Sequence, residues 1–355
     1  MYDQAKDGLR GQVSVCRLEA TAFVGACAAN GCDTEPKQQT SLITTRFRTD
    51  GSMVEYHHRK PDGCEWISTY DAGGRVLKTE TRLATGSVST TVYHYDQDGR
   101  LQRIAAQAGD GAETALQTLT YDDQHNTKTQ VFHSVPAQHN LALLFSVEGT
   151  DAAFAAPGTT SVTTLYDDHD RPAETLFRDA EQRVLSRVIL RYDDAGRLVE
   201  ETQSTETEVT LPPDMNAGLS GAELQSMKAA FGLEAGGQRS RRLHRYDTNG
   251  RRVETVLYMG SIRAERRLMS YNEHGDLSEE KSYHGPGPLT THDRGRVEET
   301  NGPSEGGAPS SETLFSYRYD EYGNWIERVV SARQSPDRPF TVCGVDHRSL
   351  SYFPA

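Results

Sequence analysis

Short runs of alternating apolar and polar residues recur along this chain, separated by clusters rich in Asp, Asn and Gly. Alternation with a period of two, in segments rich in β-branched and aromatic residues, predicts half-buried strands. The first strong one is Gln12 to Glu19, and a small-residue loop with Gly25, Asn30 and Gly31 follows it. Around Val188-Ile189-Leu190 and Leu198-Val199 the runs flank Tyr192-Asp193-Asp194-Ala195-Gly196-Arg197. An aspartate at the head of such a turn accepts hydrogen bonds from the N–H groups just ahead. A glycine near its end supplies φ > 0 where the chain re-enters the ladder, as in a type I turn followed by a glycine bulge.

Copies of this turn begin at Tyr70, Tyr95, Tyr121, Tyr166, Tyr246, Tyr271 and Tyr319. Tyr70 to Tyr95 and Tyr246 to Tyr271 are 25 residues, and Tyr95 to Tyr121 and Tyr166 to Tyr192 are 26. That period accommodates two strands and two turns, so each repeat is one strand pair of an antiparallel meander. The residues two before each turn tyrosine share its face: Ser68, Tyr93, Leu119, Thr164, Leu190, His244, Met269 and Tyr317. Most are apolar or aromatic, whereas the residues immediately before the tyrosines are nearly all polar, so the tyrosine face is expected to be the buried one.

Three longer intervals carry insertions, near 134–159, 211–238 and 285–311, all on the edge opposite the Tyr-Asp turns. In the second, Ser220-Gly221-Ala222-Glu223 matches a capping box. Leu224, Met227 and Phe231 then fall at helical spacing, which predicts a helix over 220–231 with that stripe against the sheet. The first insertion holds Leu141-Ala142-Leu143-Leu144-Phe145, a second candidate for covering the apolar face, and the Gly/Pro-rich third is expected to be a flexible loop. The predicted fold is all-β, a long curved antiparallel sheet with one short inserted helix, open to closing into a barrel or spiral. It is read as one domain over 1–355: a strand and loop at 1–40, repeats at 41–334 and a closing strand at 335–355.

Composition narrows the partners. The chain is 35% hydrophobic, too little for a thick core, which suits a sheet wet on one face. A net charge of −13 disfavours nucleic acid and anionic membrane and allows cations, basic proteins or neutral glycans. No stretch is long and apolar enough for a membrane-spanning helix, so no membrane insertion is expected. Met1 to Asp7 lacks the apolar core of a signal peptide. The five cysteines, Cys16, Cys27, Cys32, Cys64 and Cys343, are an odd number and cannot all pair within the chain.

The Tyr-Asp-x-x-Gly-Arg-Leu pattern, clearest at Tyr70–Val76, Tyr95–Leu101, Tyr192–Leu198 and Tyr246–Arg251, resembles the YD or RHS repeat. The resemblance covers most of residues 41 to 334. It implies antiparallel strips that coil into hollow shells, in bacterial polymorphic toxins, insecticidal toxin complexes and animal adhesion proteins. It also implies a secreted, periplasmic or surface location. This chain is far shorter than a full toxin shell and lacks the Asp-Pro-x-Gly segment that ends one. The resemblance therefore implies a non-catalytic binding, scaffolding or encapsulating module whose working surface is the insertion edge.

Three sets of residues are candidates for chemistry. Cys27, Cys32 and Cys64, with His57 and His58, converge on the insertion edge and include donors suited to zinc or another transition metal, and Cys343 approaches the same edge. Ordinary thiols or a disulfide are the alternative. The turn aspartates Asp71, Asp96, Asp122, Asp167, Asp193, Asp247 and Asp320 form a potential calcium row, against which each simply caps its own turn. Tyr93, Tyr95, Tyr192, Tyr317 and Tyr319 offer rings for a sugar or peptide, against ordinary cross-strand packing. A metal-binding protein or enzyme at the Cys/His edge and a toxin-associated shell subunit are the alternatives to the binding module. Protein or glycan ligands, self-association and a shell-forming partner chain are the expected interactions. No nucleophile motif, phosphate loop or dinucleotide fingerprint occurs.

Overall fold

The turn chemistry written in the repeats organises the computed structural model, which describes residues 8–24, 37–133, 144–146, 148–150, 153–155, 158–207, 220–285 and 308–354. At Asp193 the Gly196 N–H donates to the Asp193 carbonyl at 2.9 Å, and the Asp193 N–H donates to the Arg197 carbonyl at 2.9 Å. Gly196 sits at φ +78, a value that a residue with a Cβ rarely adopts. The ladder shifts register by one residue between Arg191 and Tyr192, the bulge that such a turn requires. Equivalent shifts precede Tyr70, Tyr95, Tyr246 and Tyr319.

The fold is an all-β antiparallel meander, with one short helix among the described residues. The described strands include a 20-stranded sheet and a separate two-stranded one. The chain divides into two compact units, Met1–Leu116 with Ser270–Glu280 and Ser311–Ala355, and Gln117–Met269 with Lys281–Ser310. In the first unit, strands pair in the order Ser311–Tyr319, Trp325–Arg333, Thr341–Tyr352, Val13–Val24, Lys37–Phe47 and Met53–Arg59. The first strand therefore has a neighbour on each side, one of them the last strand of the chain. In the second unit, Thr127–Phe132, Ser161–Tyr166, Pro172–Arg178, Val184–Tyr192, Leu198–Thr205, Gln238–Tyr246 and Arg252–Met259 pair in sequence order.

The tyrosine face is the more buried one, as the alternation indicates. Leu119, Thr164, Leu190 and His244 are buried, while Thr120, Arg191 and Arg245 are exposed. Its apolar content is small. Phe177, Val188 and Leu190 form the core of the second unit, with Val162, Tyr192 and Leu198 packed against them. Leu9, Val13, Cys16, Phe47 and Met53 form that of the first. Much of the remaining buried surface is polar, including Thr164, Thr175, Ser186, Glu201, Gln203, Thr205 and His244 in the second unit. A thin sheet with a polar buried face matches the low hydrophobic content of the chain.

The insertions are partly described. The helix spans Gly221–Ala230 with Ser220 as N-cap and the reciprocal Ser220/Glu223 capping box in place. Its stripe is only half-buried, and none of its residues is buried. Two large apolar residues, Leu224 and Met227, on a ten-residue helix, with Phe231 at its C-cap, are too few to seat it firmly. The first insertion contains a hairpin of Leu144–Ser146 with Ala153–Ala155, while residues 141–143 lie outside the described set. Glu148, in the loop between these two strands, reaches the tyrosine face of its own unit, where it accepts a hydrogen bond from the Tyr166 hydroxyl at 2.9 Å and pairs with Lys128. The third insertion falls almost wholly outside the described residues.

Candidate functional site

Each turn aspartate is engaged inside its own turn. The Asp193 Oδ1 accepts from the backbone N–H groups of Ala195 and Arg197, and its Oδ2 accepts from Arg197 Nε at 2.8 Å. Asp71, Asp167 and Asp247 do the same with Arg75, Arg171 and Arg251. Asp96 bonds Arg100 the same way, Asp122 bonds His125, and Asp320 bonds Tyr322 and Asn324. This is the capping role that the sequence sets against a calcium row. An unanticipated copy, without tyrosine or glycine, occurs at Asp179 and Arg183 on the opposite edge. Its Asp-x-x-x-Arg spacing was the available signal.

The arginine and tyrosine of the motif act between repeats. Arg75 lies over the Tyr95 ring, Arg171 over Tyr192 and Arg197 over Tyr246, at 4.9, 4.5 and 5.0 Å. Each of these tyrosine hydroxyls donates to the carbonyl just after the preceding turn: Tyr95 to Val76, Tyr192 to Pro172 and Tyr246 to Leu198, at 2.7–2.8 Å. The preceding guanidinium also rests against the glycine of the next turn. A Cβ on Gly99 would stand 2.5 Å from Arg75 Nη1, and one on Gly196 3.3 Å from Arg171 Nη1. Tyr95 and Tyr192 are thus committed to holding neighbouring repeats together, and Tyr93 is half-buried opposite Ile104.

These bonds make acid sensitivity calculable in sign. The Arg171 side chain holds the Asp167 carboxyl at about 2, below its ordinary 3.8, and the Arg197 side chain lowers Asp193 likewise. A lowered carboxylate contributes stability that is fully present above its unfolded value and is lost as pH falls through its folded one. The turn contribution at Asp167 should therefore fade between pH 3.8 and about 2. Carboxyl-carbon NMR should give an Asp167 midpoint near 2; an ordinary midpoint would contradict the pairing.

The repeat at Tyr271, in the first unit, breaks the pattern at both charged positions. In Tyr271-Asn272-Glu273-His274-Gly275-Asp276, asparagine stands in the aspartate position and aspartate in the arginine position. The backbone turn survives, because Asn272 Oδ1 accepts from the N–H groups of His274 and Asp276. The link to the next repeat is rebuilt. The Tyr319 hydroxyl donates to Asp276 Oδ2 and accepts from Asn272 Nδ2, both at 2.7 Å. His274 takes the place of a guanidinium, stacking on the Tyr319 ring at 3.9 Å. Tyr317, two residues earlier, donates to the Leu277 carbonyl that a turn tyrosine would otherwise use. Burial, together with the Asp276 bond, pushes the Tyr319 hydroxyl up to about 12.

A pocket of about 390 Å³ lies at this departure, lined by Gly8, Leu9, Arg10, His274, Gly275, Asp276, Gly323 and Trp325. That volume is within the ordinary range of ligand sites. Tyr319 and Tyr317 stand directly behind the lining, the first bonded to Asp276 and stacked on His274, the second edge-on to Trp325 at 6.4 Å. Arg348 covers Trp325 at 3.5 Å, with Arg328 at 5.1 Å. The structure therefore brings together two of the five candidate tyrosines. Arg10, His274, Asp276 and Trp325 were not anticipated as site residues, although the Asn272/Asp276 exchange is visible in the sequence.

The candidate metal ligands fare differently. His57 and His58 are adjacent in the strand Met53–Arg59, so their side chains leave opposite faces and do not share one ion. His57 Nε2 is 3.7 Å from Glu65 Oε2, and His58 packs against Trp66 at 5.3 Å. Cys64 is a half-buried free thiol in the next turn. Among the described residues no group of three or more His, Cys, Asp or Glu is arranged to hold a metal ion. Cys27 and Cys32 lie outside the described residues. Cys343 Sγ meets the Val330 carbonyl at 3.5 Å.

Neither a protein-family model nor a curated protein sequence matches this chain. Among solved structures it is similar to a porin-like protein from Bacteroides uniformis, at 8% identity and a TM-score of 0.34, over 94% of this chain and 97% of that one. It is also similar to the TcdB2-TccC3-Cdc42 structure, at 11% identity and a TM-score of 0.20, over 88% of this chain and 18% of that one. A porin-like protein from Bacteroides vulgatus gives 11% identity and a TM-score of 0.18, over 98% of this chain and 100% of that one. Likeness at this level extends to none of their functions.

Proposed function

We propose that this chain is a non-catalytic binding module of the RHS or YD-repeat type, with a protein or glycan ligand seated in the pocket at the Asn272–Asp276 turn. The observation that carries this reading is a coincidence of departure and pocket. In the repeats that keep the motif, its acid, base and ring are spent on the turn and on the neighbouring repeat. In this one they are rearranged, and a pocket with a carboxylate, an imidazole, a guanidinium and an indole lies beside them. Places where a consistent pattern is broken are where function is expected. The site is on the edge of the Tyr-Asp turns, so the proposal moves the working surface there from the insertion edge.

The chain contains two tryptophans, so Trp66→Phe leaves Trp325 as sole reporter. Oligosaccharide and peptide arrays probed with that variant should yield ligands that shift Trp325 emission. Asp276→Ala should weaken them by at least about tenfold, the scale of one lost charged hydrogen bond. Ligands that bind equally well to the Asp276→Ala chain would place the site elsewhere, and chemical turnover of a bound ligand would overturn the non-catalytic reading.

A further inference from the structure

The last turn has an unusual occupant. Asn324 stands where the turns at Asp71, Asp96, Asp167, Asp193 and Asp247 carry arginine, and it is buried. Its amide forms a two-way bond with the backbone of the N-terminal segment: the Arg10 N–H donates to Asn324 Oδ1 at 2.6 Å, and Asn324 Nδ2 donates to the Arg10 carbonyl at 2.9 Å. The same Nδ2 also donates to the Tyr352 hydroxyl at 2.9 Å. A side-chain amide that reads both backbone groups of one residue imitates a β-ladder partner. Such a contact reads the backbone whatever side chain that residue carries.

The side chain is read separately. A Cβ on Gly323 would stand 2.7 Å from Arg10 Nη1. This is the contact that Arg75 makes with Gly99 and Arg171 with Gly196 in the regular repeats. The preceding turn ends in Asp276 and has no guanidinium to give. Arg10, 314 residues before Asn324 in sequence, supplies it instead, and its Nη2 donates to the His274 carbonyl at 3.3 Å. Leu9 inserts beside it among Val13, Cys16, Phe47 and Met53. Arg10 itself is exposed, as are Gly8, Gly11 and Gln12 around it. Gly11, at φ +77, is a bend between this segment and the strand Val13–Val24.

We propose that the Asn272–Asp276 and Asp320–Asn324 turns form a recognition site for a short arginine-bearing segment. In the isolated chain, residues 8–11 fill it as an exchangeable latch, and the Gln12 carbonyl, which accepts from the Phe353 N–H at 2.9 Å, anchors its far end. The partner that fits is the same segment of a second copy of this chain, delivered in trans when the latch of the first is released. Asn324 reads the backbone, Gly323 admits the guanidinium because it lacks a Cβ, and the His274 carbonyl accepts from it. Since Gly8, Leu9 and Arg10 also line the pocket, release of the latch would remove one wall of it. This inference stands whether or not the pocket holds a separate ligand.

The test uses the full chain with Arg10→Ala and a labelled synthetic peptide, Gly-Leu-Arg-Gly-Gln-Val-Ser, corresponding to residues 8–14. Fluorescence anisotropy should show the peptide binding Arg10→Ala at least about tenfold tighter than the unaltered chain, where the tethered latch competes at high effective concentration. An Arg→Ala peptide should lose that binding, and so should Asn324→Ala introduced into the variant. Equal affinity for the two chains, with the Arg10→Ala chain still melting cooperatively, would overturn the proposal. Hydrogen exchange on the unaltered chain decides independently if that variant does not fold. The Arg10 amide should exchange at least about a hundredfold faster than the amides of Cys16 to Leu18, as a locally released segment does. Equal protection would make residues 8–11 an integral part of the sheet and end the proposal.

Discussion

Replacing Glu201 by alanine should lower the unfolding free energy by about 3–5 kcal/mol, the usual consequence of removing one member of a buried ionic group. The Glu201 side chain is 2% exposed and that of His244 is 1% exposed. Glu201 Oε1 meets His244 Nε2 at 2.7 Å, and Oε2 accepts from Arg242 Nη1 at 3.0 Å. The other imidazole nitrogen is 3.1 Å from the Thr255 hydroxyl. One carboxylate thus satisfies two groups on the neighbouring strand, and alanine leaves the buried imidazole without that partner, beside a guanidinium whose side chain is 27% exposed. Glu201→Gln keeps the shape and one acceptor, so it should cost less than half as much. Urea denaturation with an unchanged slope is the measurement. A loss below about 1 kcal/mol for Glu201→Ala would mean that the group behaves like a surface ion pair.

Phe177→Ala should cost about 3–5 kcal/mol, the range for emptying a fully buried phenylalanine site. Phe177 is 0% exposed and packs with Val188 and Leu190. The surrounding buried positions are largely hydroxyls and amides, among them Thr164, Thr175 and Ser186. Each is tied to its own partner, such as Ser186 to the Ser204 carbonyl, so little apolar material can move into the gap. Phe177→Leu should retain more than half of the lost stability. Equal losses for leucine and alanine would show that ring shape, and not buried volume, is what the site uses.

The strands and turns were legible because their signals are local. Alternation around Leu190 assigned it to the buried face, Asp193 and Gly196 announced their turn within four residues, and Ser220 and Glu223 announced the helix start. Other features depend on register between distant segments. His244 was assigned to the correct face, but its bond to Glu201 joins residues 43 apart. Alternation says which side a residue faces and nothing about what lies opposite. The helix stripe at Leu224, Met227 and Phe231 was legible as a stripe, whereas the degree of its burial depends on the surface it meets.

The site divides in the same way. Tyr317 and Tyr319 were recognisable as rings on the buried face, and the exchanged Asn272 and Asp276 were plain in the sequence once the motif was known. Arg10 was not recoverable. It lies in no repeat, and its role depends on reaching Asn324 and Gly323 at the other end of the chain. Reading each turn's arginine as belonging to the next turn's tyrosine would have exposed a vacancy after Asp276. That relation between repeats, unlike the motif itself, is a three-dimensional fact.

The stitch from one turn's arginine to the next turn's tyrosine gives the array a direction and a parity. Two strands separate consecutive regular turns, so loss or gain of a whole 25- or 26-residue period keeps every donor matched to an acceptor. Loss of a single strand would carry every later Tyr-Asp turn to the opposite edge and turn each later ring away from its guanidinium. Length in such a chain should therefore change in whole periods, much as a zip shortens by whole teeth.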